Sequence, residues 1–310
     1  MSVLEAVTLT LNPAVDCTVT IPGFTAGGVN RVETVQHRPG GKGVNVALAL
    51  AGMGHRVAVT GFLGEENRAL FDQAFHEARV ADYFVHLAGS TRVGIKIVDA
   101  EKKETTDINF PGLAPTSNAL RLLRSGMEQL AASWFVLSGS LPEGVDVTIY
   151  QSLIRLLRQR GCKVALDTSG APLRHALEAG PQIIKPNIDE LATLMGAELN
   201  TRELVVEAAR GILQQHGVEL VVVSMGAEGA VFVTKDECIH AAPPAMEVRS
   251  TVGAGDAMVA GIISGELRGL SLADQARLAT ASSMRVLAKN FSSAIAVPDF
   301  EPLMSTVMIT

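Results

Sequence analysis

The sequence is short of cysteine, carries no excess of positive charge and has no long unbroken apolar run, and each shortage excludes a class of protein. Cys17, Cys162 and Cys238 are an odd number at wide spacings with no CxxC, which indicates neither a disulfide framework nor a zinc site and fits a reducing cytoplasm. A formal charge of -6 gives no long-range attraction for nucleic acid or acidic membranes, although a locally basic pocket can still hold a small anion. The start, MSVLEAVTLTLNP, lacks a basic stretch followed by a long apolar segment, and later apolar stretches such as VAVTGFLGEE and GIISGELRG are broken by charge. The expectation is a cytoplasmic chain with no membrane and no nucleic-acid partner. Two common nucleotide signatures are missing as well. There is no GxxxxGK[ST], and Met258 stands where a GxGxxG beginning at Gly253 needs its third glycine. No internal repeat or low-complexity tract is present.

What the chain does have is 310 residues, 47% of them hydrophobic, enough to bury a large core. Short β-branched runs at 6–11, 56–62, 134–139, 163–168, 182–186 and 219–225 alternate with stretches of helical period at 44–53, 66–78, 116–131, 147–160, 201–216, 255–268 and 271–288. Several of the runs are apolar throughout, which predicts a parallel sheet covered on both faces in a doubly wound α/β domain. Two segments break the rhythm and read as β alone: about 15–37 and about 91–110, the second turning at Glu101-Lys-Lys-Glu104. They predict a small projecting sheet, either a flap over a ligand or an edge meander.

The strongest local signal is Ser250-Thr-Val-Gly-Ala-Gly-Asp256, followed at once by the helical run AMVAGIISGEL. Small residues allow a tight turn, so the N–H groups of Gly253, Ala254 and Gly255 and the positive end of the helix converge where a phosphate can sit. Asp256 then lies beside that anion hole, where a carboxylate can accept a hydroxyl proton. Taken alone, the same residues also describe a favourable first-turn acid after a glycine bend. Arg38-Pro-Gly-Gly-Lys-Gly-Val-Asn45 leads into another helix. Gly40 and Gly41 permit close approach of a ligand, Lys42 adds charge and Asn45 can bond hydroxyls, as in a polyol site, or the turn is a plain connection. Upstream, Asp16 in Asn12-Pro-Ala-Val-Asp16 can grip two sugar hydroxyls, or the segment is an Asx turn. Arg92 offers a planar fork for a substrate phosphate, or a solvated edge charge. Asn187 and Glu190 lie three apart after an apolar strand, a pair that orients Mg²⁺ through water or forms a capping box. Ser224-Met-Gly-Ala-Glu-Gly229 is a glycine turn that passes a nucleotide or closes a hairpin into AVFVT.

In chain order NPAVD, GGKGVN, GSLPEG (139–144), KPNIDEL, SMGAEGA and STVGAGD resemble the motif series of the ribokinase-like (PfkB) sugar kinases, from about residue 10 to about 290. The resemblance implies a three-layer α/β/α sandwich forming one domain over 1–310. It also implies a β-sheet lid at about 13–38 and 90–111 that covers the sugar and clasps a homodimer, with ATP along the C-terminal half. Carried over by position, Asp256 matches the catalytic base and Gly253, Ala254 and Gly255 its anion hole. Asp16, Gly40, Gly41, Lys42, Asn45, Arg92 and Ser138 match sugar-phosphate contacts. Lys185, Asn187, Ser224, Gly226, Gly229, Thr251 and Asn290 match nucleotide contacts, although NFSSAI around Asn290 departs from the family's small-residue pattern. Asn187 and Glu190 match the Mg²⁺ motif. Within the family TLTLNPAVD, GGKGVN, TRVGIK and TDINFPG are most similar to the branch that phosphorylates fructose 1-phosphate, with the tagatose 6-phosphate and fructose 6-phosphate branches as neighbours. Two rivals lie outside it: a NAD-dependent dehydrogenase, which needs a glycine fingerprint where NPAVD stands, and a non-catalytic sugar-phosphate sensor, which would lose the base or the anion hole.

Overall fold

The computed structural model describes residues 4–102, 104–248, 251–288 and 300–310. Apolar runs fold as neighbouring parallel strands in the order Leu220–Ser224, Ile183–Ile184, Lys163–Asp167, Ala132–Ser138, Leu4–Thr10, Val57–Gly64 and Ala81–Leu87. Val57–Gly64 is buried along its whole length, as a strand covered on both sides must be. Successive residues divide between the faces: Ala6, Val57 and Val222 join one apolar cluster, while Val7, Ala58 and Val221 join the other. Helices cover both clusters, giving the expected α/β layers.

The sheet then departs from the parallel expectation. Ala230–Val233, Cys238–Ala242 and Met308–Ile309 extend it antiparallel beyond Leu220–Ser224, making ten strands among the described residues. A one-turn 3₁₀ helix at Gly226–Glu228 makes this possible, because a connection so short can only reverse the chain. Two helices of eight residues, Gly170–Leu177 and Ile188–Met195, also lie outside the helical stretches read from periodicity; so short a segment shows little of its period. Among the described residues no helix is long and apolar enough to cross a membrane.

Helices Ala254–Arg268 and Leu272–Leu287 pack closely along one another. Their approach depends on glycine: a Cβ on Gly261 would meet the Ala279 Cα at 2.5 Å, and one on Gly265 would meet Gln275. Asp256 to Gly265 are all buried, so the start of Ala254–Arg268 is fixed by packing on every side.

The two β segments make a separate four-stranded sheet, ordered Thr34–Gly40, Ala14–Thr20, Val93–Asp99, Glu104–Asn109. Its rows alternate in character, as the two-residue strand repeat requires. Arg38, Asp16, Gly94 and Asn109 are paired across one row and Gln36, Thr18, Lys96 and Asp107 across another. The intervening rows are largely apolar: His37, Cys17, Ile95 and Ile108, then Val35, Val19, Ile97 and Thr106. Paired residues share a face, so this small sheet is polar on one side and mostly apolar on the other.

Candidate active site

Parallel strands end together, and the C-terminal edge of such a sheet is where α/β proteins gather ligands. Thr10, Ser138 and Asp167 sit side by side there, in register at the ends of three neighbouring strands. Ser138 is wholly buried, with no hydrogen-bond partner for its hydroxyl. Asp167 is 1% exposed and draws in two lysines from other segments, Lys42 Nζ at 3.3 Å and Lys185 Nζ at 3.5 Å from the same Oδ1. Sequence reasoning did not single out Asp167. The available signal was an acid closing the apolar strand KVALD, a position with no local motif of its own.

Asp256 is 7% exposed on the first turn of Ala254–Arg268 and accepts a hydrogen bond from Asn45 Nδ2 at 2.8 Å. The turn before it needs Gly253, whose φ of 78° lies in the left-handed region where a Cβ is penalised. Gly253 caps the helix without a side chain, so nothing of its own covers the first-turn amides. Of the predicted anion-hole amides, that of Ala254 donates back to the Thr251 carbonyl at 3.3 Å. Burial, and next the charge of Asp167, push the Asp256 carboxyl up to about 6, against the opposing pull of Asn45, Lys42 and Lys185. Burial also works against the charged form of Lys42, but Asp167, Asp256 and Glu190 outweigh it and hold the ammonium above its ordinary pKa.

The 253–257 turn is shared by two cavities. One, of about 420 Å³, lies under the small sheet and is lined by Gly253 and Ala257 together with Asp16, Asn45 and the polar rows. The other, of about 640 Å³, is lined by Ala254 and Gly255 together with Thr251, Ser224, Gly226, Gly229 and an apolar patch that includes Met246 and Met284. A still larger cavity, of about 1140 Å³, lies between helix Arg202–His216 and strand Cys238–Ala242 and holds none of the predicted residues.

Asp16, on the first cavity's wall, requires glycine at position 40, because a Cβ on Gly40 would come within 2.2 Å of Asp16 Oδ2. Gly41, at φ 111°, leads directly into the helix that carries Lys42 and Asn45. Burial pushes the Asp16 carboxyl upward despite Lys96 and Arg92 nearby. Arg92 does not line this cavity. Its guanidinium lies against the carbonyls of Asn12, at 3.4 Å, and Phe110, at 3.5 Å, beside a small crevice at the foot of the sheet.

Asn187 and Glu190 form a reciprocal capping box: Asn187 Oδ1 accepts the Glu190 N–H at 2.7 Å, and Glu190 Oε2 accepts the Asn187 N–H at 2.9 Å. The cap orients Glu190 without consuming both of its oxygens, and Glu190 remains near enough to act on Lys42. Among the described residues no group of three or more His, Cys, Asp or Glu side chains is arranged to hold a metal. The turn Gly226–Glu228 both closes a hairpin and lines the second cavity, so the two readings of that segment are compatible. Asn290 lies outside the described residues.

The sequence profile of the pfkB family carbohydrate kinases matches residues 4–297. A 1-phosphofructokinase of Rhodobacter capsulatus is 50% identical over 287 residues, which cover 92% of this chain and 90% of that protein. A 1-phosphofructokinase of Haemophilus influenzae is 37% identical over 99% of this chain and 98% of its own length. The solved structure of phosphofructokinase-2 from Escherichia coli in complex with substrates and products superposes with a TM-score of 0.91 at 28% identity, covering 97% of this chain and 99% of that one.

Proposed function

The chain belongs to the pfkB family of carbohydrate kinases, and from that premise we propose that it transfers the γ-phosphoryl group of ATP to fructose 1-phosphate, yielding fructose 1,6-bisphosphate and ADP. The substrate reading leans on the relatives at 37–50% identity, which are 1-phosphofructokinases. The observation that carries the mechanism is the shared turn at 253–257, which borders a cavity with charged side chains on one side and a largely apolar one on the other, and whose Asp256 is hydrogen-bonded to Asn45 of the first cavity. The sugar phosphate occupies the cavity lined by Asp16 and Asn45, with Gly40 and Gly41 next to it in the chain, while the nucleotide lies along Ser224, Gly226, Gly229 and Thr251.

Asp256 takes the proton of the C6 hydroxyl as that oxygen bonds to the γ-phosphorus and the bond to the β–γ bridging oxygen breaks. A carboxyl raised to about 6 is still ionised at neutral pH, yet is a better base than an ordinary aspartate. The amides of Gly253 and Gly255, with Lys42 and Lys185, face the charge that builds on the transferring group. Their lysine charges are held in place by Asp167, which stays buried.

Asn187 and Glu190 supply oxygen donors suited to a hydrated Mg²⁺, and the unpartnered Asp167 Oδ2 adds a buried acceptor near the same lysines. Bound there, the ion would neutralise charge on the ATP phosphates. The small sheet serves as a lid that excludes water, so that ATP is not spent on hydrolysis. Its exposed Val29, Val32, Val35 and Ile108 favour a second copy of the chain as partner, making a homodimer through the lid in the cytoplasm.

Asp256→Asn tests the assignment. Turnover is expected to fall on the order of 100-fold or more while KM for fructose 1-phosphate moves little, as for loss of a general base. Near-normal turnover in this variant rules out Asp256 as the base. ADP release measured across a panel of ketose phosphates identifies the acceptor.

A further inference from the structure

The turn at 226–229 lines the proposed nucleotide cavity with its own backbone, so its placement decides how the nucleotide is held. Bonds inside the turn fix its shape. The Met225 N–H donates to the Gly229 carbonyl at 2.8 Å and the Gly229 N–H to the Gly226 carbonyl at 3.1 Å, and both glycines have positive φ. These bonds do not tie the turn to the rest of the molecule. A side chain from the next strand does: His240, on Cys238–Ala242, brings Nε2 to 2.7 Å from the Glu228 carbonyl.

His240 approaches from the far side of the sheet. It pairs with Val231, which joins the apolar cluster of helix Arg202–His216, whereas Met258 and Met284 of the nucleotide cavity belong to the cluster on the opposite face. The other ring nitrogen settles which way the bond runs. Arg202 Nη1 lies 2.6 Å from Nδ1, and a guanidinium only donates, so Nδ1 accepts, the proton sits on Nε2, and that N–H donates to the Glu228 carbonyl. Arg202 opens its helix, an end that the helix dipole makes unfavourable for a cation, so the helix itself does not explain its place. The imidazole is further fixed through its backbone, which exchanges bonds of 2.8 and 3.0 Å with Thr310.

We propose that His240, held in one tautomer by Arg202, is a positioning residue for the nucleotide: it anchors the 226–229 turn from behind and so sets the affinity for ATP without touching it. Neither His240 nor Arg202 lines the sugar cavity, which confines the effect to the nucleotide. This inference rests on the kinase reading above, and both residues lie outside the motifs that led to it.

The test separates the two substrates. His240→Phe keeps a ring and loses both bonds; KM for ATP is expected to rise about fivefold, the net worth of one ordinary hydrogen bond, with kcat within about twofold and KM for fructose 1-phosphate unmoved. His240→Gln carries an amide donor close to the place of Nε2 and is expected to recover most of the ATP affinity. Arg202→Met frees the tautomer, so the donor faces Glu228 only part of the time and KM for ATP is expected to rise about twofold. This variant, at an exposed helix start, serves where His240→Phe does not fold. Failure of the unmodified chain to consume ATP with any ketose phosphate would overturn the kinase reading itself. With the unmodified chain active, an unmoved KM for ATP in His240→Phe and Arg202→Met, even alongside a lower melting temperature, overturns the positioning role alone. So does a His240→Gln variant as impaired toward ATP as His240→Phe.

Discussion

At Asp256 the requirements of folding and of chemistry oppose one another. Its carboxyl is buried beside Asp167 and raised to about 6 from an ordinary value of 3.8, so the folded chain binds this proton more tightly than the unfolded chain does. Stability from this group is therefore greatest in acid and declines as pH rises from about 4 through about 6. Asp256→Asn removes the buried charge, and its melting temperature is expected to exceed that of the parent at pH 7.5, with the gap closing toward pH 4. Calorimetry at the two pH values checks the sign. Catalysis runs the other way: kcat/KM should fall about tenfold per unit once pH drops below about 6, because a protonated carboxyl accepts nothing. The glycines, Asn45, Lys42 and Asp256 were legible because each belongs to a turn whose sequence announces it. Asp167 was not, since a strand-ending acid becomes a site residue only when Lys42 and Lys185 arrive from segments far away in sequence.

At the scale of elements, the pair Ala254–Arg268 and Leu272–Leu287 sets helix propensity against packing. Alanine is worth about 1 kcal/mol more than glycine inside a helix. At Gly261, however, an added Cβ meets backbone at 2.5 Å, and overpacking of that kind costs roughly 1–3 kcal/mol. Gly261→Ala is thus expected to lower stability in spite of its better propensity. Gly211→Ala, in the middle of Arg202–His216 with open space around the new Cβ, is expected to raise it by up to about 1 kcal/mol. Denaturant midpoints of the two variants should move in opposite directions. The helices themselves were legible where apolar spacing ran for three turns or more, and the structure caps several of them with Thr116, Thr201 and Ser271. The hairpin into Ala230–Val233 was one of two readings of the 224–229 turn, whereas the strands Cys238–Ala242 and Met308–Ile309 beyond it were hidden, being short and only partly apolar.

For the whole molecule, the ten-stranded sheet carries helices on both faces, and the four-stranded sheet, for which a covering role is proposed above, is a separate sheet. Alternation in the β segments was enough to predict a projecting sheet, but not which side of it would meet a ligand. Val35, 55% exposed on the apolar side, tests the proposed pairing of two covers. Val35→Asp is expected to shift a concentration-dependent dimer toward monomer in sedimentation equilibrium, since burying an unpaired carboxylate in an apolar contact is costly. A sedimentation profile identical to that of the parent would argue against this face as the interface.

The alternating rows of the small sheet also restrict how its length can change. Adding or losing one residue within Val93–Asp99 would turn every later side chain through the sheet, driving polar side chains such as Lys96 into the buried cluster of Cys17, Val19 and Ile21 and turning Ile97 out of it. Length differences among kindred chains should accordingly fall at the hairpin tips, or arrive inside the strands in multiples of two.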